Sequence, residues 1–181
     1  MEGEVEEPSY FRRLEQLDII DERRVRLIVL PPQHGESSPR AAVERMEQFV
    51  TDARPRPFDP CWLVVDVDRH KTLHEALTDA RGRSWQVAVS HPCFEVWLQL
   101  HHTDEPQGET SGDAKRAWRA LRESLRNELR DQPVTTESVR RATVRSEARD
   151  NGHDVPLVCA SHVHRLVKDL IRSTEQPLTK S

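Results

Sequence analysis

The sequence predicts an α/β protein: a mostly parallel sheet flanked by helices, followed by a helical C-terminal part. Three observations support this fold class. Short apolar runs of strand length alternate with amphipathic segments of helix length over the first hundred residues. One run, residues 61–65, is apolar at all five positions, which is typical of a strand covered on both faces. Only helical patterns follow residue 112. Strands separated by helices are expected to join one parallel sheet through right-handed crossovers.

The predicted elements alternate in order along the first half of the chain. Val43, Met46, Phe49 and Val50 follow the spacing of an amphipathic helix. The apolar run VRLIVL indicates a strand that Pro31 ends. Helices are predicted over residues 8–16, 41–54, 72–81 and 94–100, and strands over residues 25–30, 61–65 and 85–89.

The second half of the chain has a different character. Residues 103–112 are polar and predict a linker between an α/β core at 1–102 and a helical C-terminal region at 113–181 that packs on this core. Regularly spaced apolar residues predict helices over 117–129 and 163–171, with a weakly amphipathic helix over 136–149 between them.

Composition excludes several classes of protein. The chain has 181 residues and a net charge of −4, which argues against a general nucleic-acid coat protein and makes any nucleic-acid contact local. Its three cysteines form no CxxC pair, so reduced thiols are expected in place of disulfides or a cysteine zinc site. No apolar stretch reaches the roughly 18 residues that span a membrane, and the N-terminus is acidic. We therefore expect a cytoplasmic protein that has no membrane partner.

The clearest chemical signal is the pair Asp66 and Asp68 at the end of the predicted strand 61–65. Residues i and i+2 of a strand point to the same face, so the two carboxylates are expected to project together. Ligands of open α/β sheets bind beyond the carboxyl ends of strands, and clustered carboxylates suit Mg²⁺. An exposed turn, where aspartate is common, is the equally weighted alternative.

Glu95 and Glu2 are two further candidate site carboxylates. Glu95 lies among apolar residues of a predicted helix, where a buried carboxylate is costly unless it is paired or binds metal. A position in the first turn, where the helix dipole tolerates an acid, is the alternative. The run EGE at residues 2–4, ahead of a predicted helix, resembles a strand-to-helix turn that directs the Glu2 carboxylate into a site. The alternative is a solvated terminus, which is common for acidic N-termini.

A basic segment and a histidine pair complete the candidates. Residues 114–150 contain ten Lys or Arg against six Asp or Glu, and Arg119, Arg122 and Arg126 are the predicted phosphate contacts. A solvated helix face explains the same pattern equally well. His70 and His74 have a zinc-type spacing, but a surface pair is the more common outcome. His70, directly after the acidic pair, is also a candidate to orient a phosphate or a water.

Three segments together resemble the RloB-like family, whose pattern runs roughly EGExTEPxYF, then DxDxH after a strand, then SNPCFExW. They stand here as EGEVEEPSYF at residues 2–11, DVDRH at 66–70 and SHPCFEVW at 90–97, where His91 replaces an asparagine. A fourth segment, ASHVHRLV at residues 160–167, is similar to the family's STxVHxLV, with Ser161 in place of threonine.

The resemblance implies a Toprim-like domain, related to topoisomerases, primases and OLD-type nucleases. It implies that Asp66 and Asp68 hold Mg²⁺ or Mn²⁺, that Glu2 is a general acid/base or metal contact, and that Glu7 assists a second ion. Glu95 joins them as a catalytic candidate. The implied function is a Mg²⁺-dependent nuclease of a prokaryotic phage-defence system, which hydrolyses phosphodiester bonds of DNA or RNA beside a partner ATPase.

Two expectations follow from the same resemblance. The family pattern has an apolar strand before its first glutamate, so the first strand is expected to be truncated in this sequence and its Val/Ile/Leu-rich run to be encoded upstream. The alternative function is a non-catalytic regulatory subunit that keeps the fold and binds the ATPase. Both the nuclease and the regulatory subunit are compatible with a homo-oligomer.

Overall fold

The structure, a computed structural model, describes residues 6–21, 23, 25–30, 38–56, 59–67, 72–126 and 134–175. Within these ranges no helix has the length and apolar character needed to cross a membrane. The same ranges hold seven helices and three strands, which makes the chain an α/β protein as predicted: α1 (Glu6–Glu15), α2 (Pro39–Ala53), β1 (Trp62–Asp66), α3 (Leu73–Gly82), β2 (Gln86–His91), α4 (Glu95–Leu100), α5 (Ser111–Ser124), α6 (Thr136–Glu147), β3 (Ala160–Ser161) and α7 (Val163–Glu175).

The described strands form one small mixed sheet in the order β1-β2-β3. β1 and β2 are parallel, with Asp66 opposite Ser90 at their carboxyl ends. β2 and β3 are antiparallel, with Ser161 opposite Ser90 on the other side. The predicted parallel arrangement therefore holds for the first pair. β3 escaped prediction because two residues are too few to show a periodic pattern.

The strand predicted at residues 25–30 is not observed. These residues are extended, and side chains alternate between half-buried Val25, Leu27 and Val29 and exposed neighbours. They form no ladder with another strand among the described residues, and the Leu27 N–H donates to the Glu15 carboxylate at 3.2 Å. Alternating apolar residues predict an extended, half-buried segment. Such a segment becomes part of a sheet only if the edge of another strand lies within hydrogen-bonding distance.

Capping side chains set where three helices begin. The Ser38 hydroxyl accepts the Ala41 N–H at 3.2 Å, and Pro39 occupies the first turn of α2, where it costs no hydrogen bond. The Thr110 hydroxyl accepts the Asp113 N–H at 3.2 Å, so α5 begins six residues before its predicted start at 117. Thr135 forms a capping box with Ser138 at the start of α6.

Helices cover both faces of the sheet, as the apolar run at residues 61–65 predicted. On one face, residues of α2 and α3 surround Leu63, Val65 and Val89. On the other face, the larger core joins residues of α1, α4, α5, α6 and α7, with Trp62, Val64 and Ala88 against it. Side chains at i and i+2 share a strand face, so Asp66 projects on the side of this larger core.

Aromatic packing fixes α1 against α4. The Tyr10 ring meets the Phe94 ring edge-on with centroids 5.4 Å apart, and the Trp97 and His101 rings meet at 5.1 Å. Tyr10, Phe94 and Trp97 are all buried. Each such side chain stabilises the fold by roughly 1.5–3 kcal/mol through burial of apolar surface. The N-terminal helix therefore has a defined position beside α4.

The predicted linker at residues 103–112 packs against the neighbouring helices. The Gln99 side chain donates to the Gln107 carbonyl at 3.0 Å and accepts the Gln107 N–H at 2.7 Å. Gly108 has φ of +121°, and a Cβ there would collide with the backbone of Ala114, so only glycine fits this approach. Residues of the N-terminal and C-terminal parts share one core cluster. The division into domains stays a prediction.

Candidate active site

A cavity of about 360 Å³ lies at the edge of β1 that is not paired with β2. Residues of β1 form one wall, and the extended segment 27–30 lines the cavity as well. The remaining described lining consists of several residues of α1 and α2 and one residue each of α4, α5 and α7. The cavity thus reaches the carboxyl end of β1, where the acidic pair was predicted to act.

Asp66 is the last residue of β1 and lines the cavity. The parallel pairing continues one residue further, because the Val67 N–H donates to the Ser90 carbonyl at 2.9 Å. This bond holds the chain at the point where the strand ends. Asp66 therefore lies at the end of a buried strand, and its role as a metal ligand stays a prediction.

Glu95 lines the same cavity from the first turn of α4. Its side chain is buried, with 5% of the residue exposed, and it lies in the first turn, where the helix dipole tolerates an acid. The Cys93 thiol lies beside it. Burial, together with the charge and hydrogen bond of Glu95, raises the pKa of this thiol, which makes Cys93 an inert neighbour. All three cysteines are free thiols, and of these Cys93 is buried whereas Cys61 and Cys159 are half-buried.

Glu7 is the third carboxylate of the cavity lining. It lies in the first turn of α1 and is half-buried. The packing of Tyr10 and Phe11 against Phe94 determines its position, because that contact anchors α1 on α4. Glu7, Asp66 and Glu95 are far apart in sequence, and three different elements bring them to one cavity.

Lys115, on α5, also lines the cavity, whereas the sequence indicated it only as one of the ten basic residues of segment 114–150. Burial lowers its pKa, but the negative charges of Glu95, Cys93, Asp66 and Glu7 outweigh burial and raise the pKa above its usual value. The ammonium group is therefore a counter-ion for the acidic cluster. A lysine on an amphipathic helix carries no local signal of this role, because the role depends on how α5 docks.

Lys115 begins a line of basic residues along α5. Ala114, Trp118 and Leu121 face the core, and Lys115, Arg119 and Arg122 each follow one of them by one residue. We call Lys115, Arg119 and Arg122 the basic stripe. Arg119 and Arg122 are exposed, and the i, i+4, i+7 spacing places all three on the helix flank beside the cavity.

Arg126 was predicted with Arg119 and Arg122 but has a different setting. α5 ends at Ser124, so Arg126 lies beyond the helix. Its guanidinium pairs with the Glu123 carboxylate at 3.5 Å. Arg116, between the stripe residues in sequence, pairs with Asp113 on another side of α5.

Three predicted site residues, Glu2, Asp68 and His70, lie outside the described residues. His74, the second member of the zinc-type pair, is exposed near the start of α3. Across the described ranges, no group of three His, Cys, Asp or Glu side chains is arranged to hold a metal ion. The described lining offers carboxylate and hydroxyl oxygens and neither imidazole nor thiol, which suits Mg²⁺ or Mn²⁺ better than zinc.

A second polar cluster lies beside β3, at the opposite edge of the sheet from the cavity. Arg165 binds Asp150 through two hydrogen bonds of 2.8 and 2.6 Å, and His164 Nε2 lies 3.1 Å from the same carboxylate. His162 and His164 are buried, and their contacts with Asp150 give them a structural role. This cluster fixes the loop before β3 against the start of α7.

Comparison with known proteins gives one match. The model of the family described as "RloB-like protein" matches residues 1–170 of the 181-residue chain. The match includes the four segments singled out above. No curated protein and no solved structure matches the chain.

Proposed function

The chain belongs to the RloB-like family, and from this membership and the acidic cavity we propose that it is a metal-dependent nuclease with a Toprim-like catalytic domain. One observation carries the proposal. Glu7, Asp66, Glu95 and Lys115 line a single cavity beside the carboxyl end of a buried parallel strand. Ligands of open α/β sheets bind at this end of the strands. An acidic cluster accompanied by the cations Lys115 and Arg45 suits phosphodiester hydrolysis.

We propose that Asp66 and Asp68 hold Mg²⁺ or Mn²⁺, with Glu2 and Glu7 as further contacts. The oxygen-rich lining supports this choice of metal. When bound, such an ion polarises the phosphate and lowers the pKa of a bound water. Because carboxylates that share a site repel one another, the cluster also needs positive charge when no metal is bound, and Lys115 supplies it.

The chain's own residues then have separate tasks. Glu95, buried beside Lys115, orients the attacking water and accepts its proton. Lys115 donates hydrogen bonds to the phosphate oxygens, where negative charge builds up during attack. Arg119 and Arg122 of the basic stripe bind phosphates further along the strand, and Arg126 and His70 are further phosphate contacts.

Family membership also supports a proposal for the biological setting. We propose that the nuclease acts in prokaryotic phage defence and works with a partner ATPase. The contrasting hypothesis, a non-catalytic subunit that binds the ATPase, differs in one measurable property. It requires no metal and no intact acidic cavity.

A nuclease assay tests the proposal. Purified protein is incubated with labelled DNA and RNA oligonucleotides in Mg²⁺, Mn²⁺ or EDTA, with and without a partner ATPase when one is encoded nearby. We expect cleavage only with a divalent ion. No cleavage in any combination would favour the regulatory subunit.

Calorimetry separates metal binding from cleavage. Mg²⁺ or Mn²⁺ is titrated into the wild type, Asp66→Ala and the matched control Asp79→Ala, which removes an exposed carboxylate from α3. We expect binding to weaken by at least tenfold in Asp66→Ala alone. Equal binding by all three proteins would remove Asp66 from the metal site.

A further inference from the structure

The lining of the cavity is more apolar than phosphate chemistry requires. Thirteen of its nineteen residues are apolar, among them Phe11, Leu27, Met46 and Leu166. A site that contacted only the sugar–phosphate backbone would need charged and polar groups. Apolar walls instead suit the flat faces of a nucleobase, which proteins bind by stacking and burial.

The size of the cavity narrows the choice of ligand. Its volume of about 360 Å³ is near the lower end of the range of ligand pockets, roughly 300–1,000 Å³. This space suits one nucleotide and is too small for a stacked pair of nucleotides or a base pair. A base can enter such a pocket only after it has left its stack and its pairing partner, which costs energy in a duplex and little in a single strand.

Two cationic side chains of the lining suit the phosphate of such a nucleotide. Lys115 and Arg45 line the cavity together with the carboxylates. From Lys115 the basic stripe continues along α5, with axial steps of about 6 Å to Arg119 and about 4.5 Å to Arg122 at the helical rise of ~1.5 Å per residue. A free mononucleotide has no further phosphates for these arginines, whereas a strand does.

We propose that the cavity binds one unpaired nucleotide of a strand, which makes single-stranded nucleic acid, or a single-stranded end, the substrate of this protein. The base enters between α2 and β1, its phosphate lies at Lys115, and the adjoining phosphates follow the basic stripe. The inference rests on the proposed function and names the substrate class of the same site. DNA and RNA share the required chemistry.

Binding without metal tests the inference independently of cleavage. Fluorescence anisotropy in EDTA compares 12-residue single strands of DNA and RNA with duplexes of the same sequence. We expect at least tenfold tighter binding of the single strand of one or both nucleic acids. A 2-aminopurine base in that strand should change its emission on binding, because it leaves its stack. Equal affinity for single strand and duplex, or competition by a mononucleotide as strong as by the 12-mer, would overturn the inference.

A cavity-filling variant locates the site. Ala42→Leu places a larger apolar side chain in the cavity from α2, whereas Ala120→Leu makes the same change on the exposed side of α5. We expect Ala42→Leu to weaken single-strand binding by at least tenfold and to abolish the 2-aminopurine response, and Ala120→Leu to do neither. Unchanged binding by a folded Ala42→Leu protein would contradict the inference. The wild-type comparison remains decisive if this variant does not fold.

The two proposals fail in different ways. A protein that cleaves with metal but binds single strands and duplexes equally keeps the proposed function and loses this inference. A protein that shows the single-strand preference and the Ala42→Leu effect but never cleaves keeps the nucleotide site and loses the nuclease.

Discussion

The Ser90 and Ser161 hydroxyls lie 2.8 Å apart across β2 and β3 and form a buried hydrogen bond. Asp66 is opposite Ser90 on the other side of β2, so the three residues form one row across the sheet. The bond therefore joins the C-terminal segment ASHVHRLV to the strand next to the acidic residue. It explains physically how a segment a hundred residues away supports the cavity.

Removing one partner of this bond should destabilise the protein. Ser161→Ala leaves the Ser90 hydroxyl without its partner and the Val163 N–H without its 3.2 Å acceptor. We expect the free energy of unfolding to fall by about 1–3 kcal/mol in urea denaturation. Ser173→Ala, on the exposed side of α7, is the control and should have little effect. A double-mutant cycle with Ser90→Ala should be non-additive, and strict additivity would contradict direct coupling.

Stability should fall between pH 6.5 and 4 because of His162. Burial lowers the pKa of His162 to about 4. The positive charges of Arg165 and His164 also lower this pKa, and the negative charge of Asp150 partly offsets them. The unfolded chain binds this proton near pH 6.5, so stability that is present above pH 6.5 is lost as the pH falls towards 4. The loss from this residue is about 3 kcal/mol at 1.36 kcal/mol per pKa unit.

Urea denaturation at pH 7.5, 6, 5 and 4 checks this dependence. His162→Gln should flatten the profile, whereas the exposed His153→Gln should keep the wild-type slope. His101, whose pKa burial lowers to about 3, adds a further loss at the acidic end. Identical slopes for His162→Gln and the wild type would show that His162 does not carry the effect.

Trp97 should be needed for folding and not for chemistry. Its side chain is fully buried and packs edge-on against Tyr10 and His101. Trp97→Ala should lower the free energy of unfolding by about 3–5 kcal/mol, since it leaves a large void in the core. Trp85→Ala, at a half-buried site where Arg83 covers the ring, should cost clearly less. Thermal unfolding followed by circular dichroism distinguishes the two, and equal losses would contradict this packing.

Periodicity in the sequence was sufficient to predict most elements. The spacing of apolar residues predicted the ends of most helices and strands to within a few residues. This works because an element that is buried on one side has apolar residues at regular intervals along the chain. α5 began earlier than predicted, since the Thr110 cap extends it beyond its first core residue. Asp66 and Glu95 could be singled out as candidates because each stands out against apolar neighbours, and both line the cavity.

The sequence was less informative where distant segments decide the outcome. Residues 25–30 have the composition of a strand, yet a strand forms only if an edge lies within hydrogen-bonding distance. β3 is held by Ser90 and Val89, far away along the chain. Lys115 acquires its role from the docking of α5 on α4, which no local pattern encodes.

The basic stripe should supply the salt-dependent part of nucleic-acid binding. Charge reversal of Arg119, Arg122 and Arg126 to Glu should weaken binding and make it less dependent on salt. The slope of the logarithm of the binding constant against the logarithm of the salt concentration should become shallower by about 0.7–0.9 per lost phosphate contact. Arg126 should contribute least, because Glu123 already pairs with it.

Anisotropy titrations between 50 and 300 mM salt, roughly the range over which such contacts are screened, measure the slope. The control protein carries the same three charge reversals at exposed arginines outside α5: Arg81, Arg83 and Arg172. Flattening of equal size in both triple variants would mean that net charge, and not the stripe, governs binding.

Cleavage by Asp66→Asn tests the central claim most directly. Oligonucleotide cleavage in Mg²⁺ is measured for the wild type, Asp66→Asn and the exposed control Asp79→Asn, together with the thermal midpoint of each protein. We predict that Asp66→Asn abolishes cleavage and leaves the midpoint unchanged or raised, because the change removes a charge that repels Glu7 and Glu95. Asp79→Asn should cleave like the wild type. Cleavage by Asp66→Asn at the wild-type rate, or unfolding of this variant, would contradict a catalytic carboxylate at the end of β1.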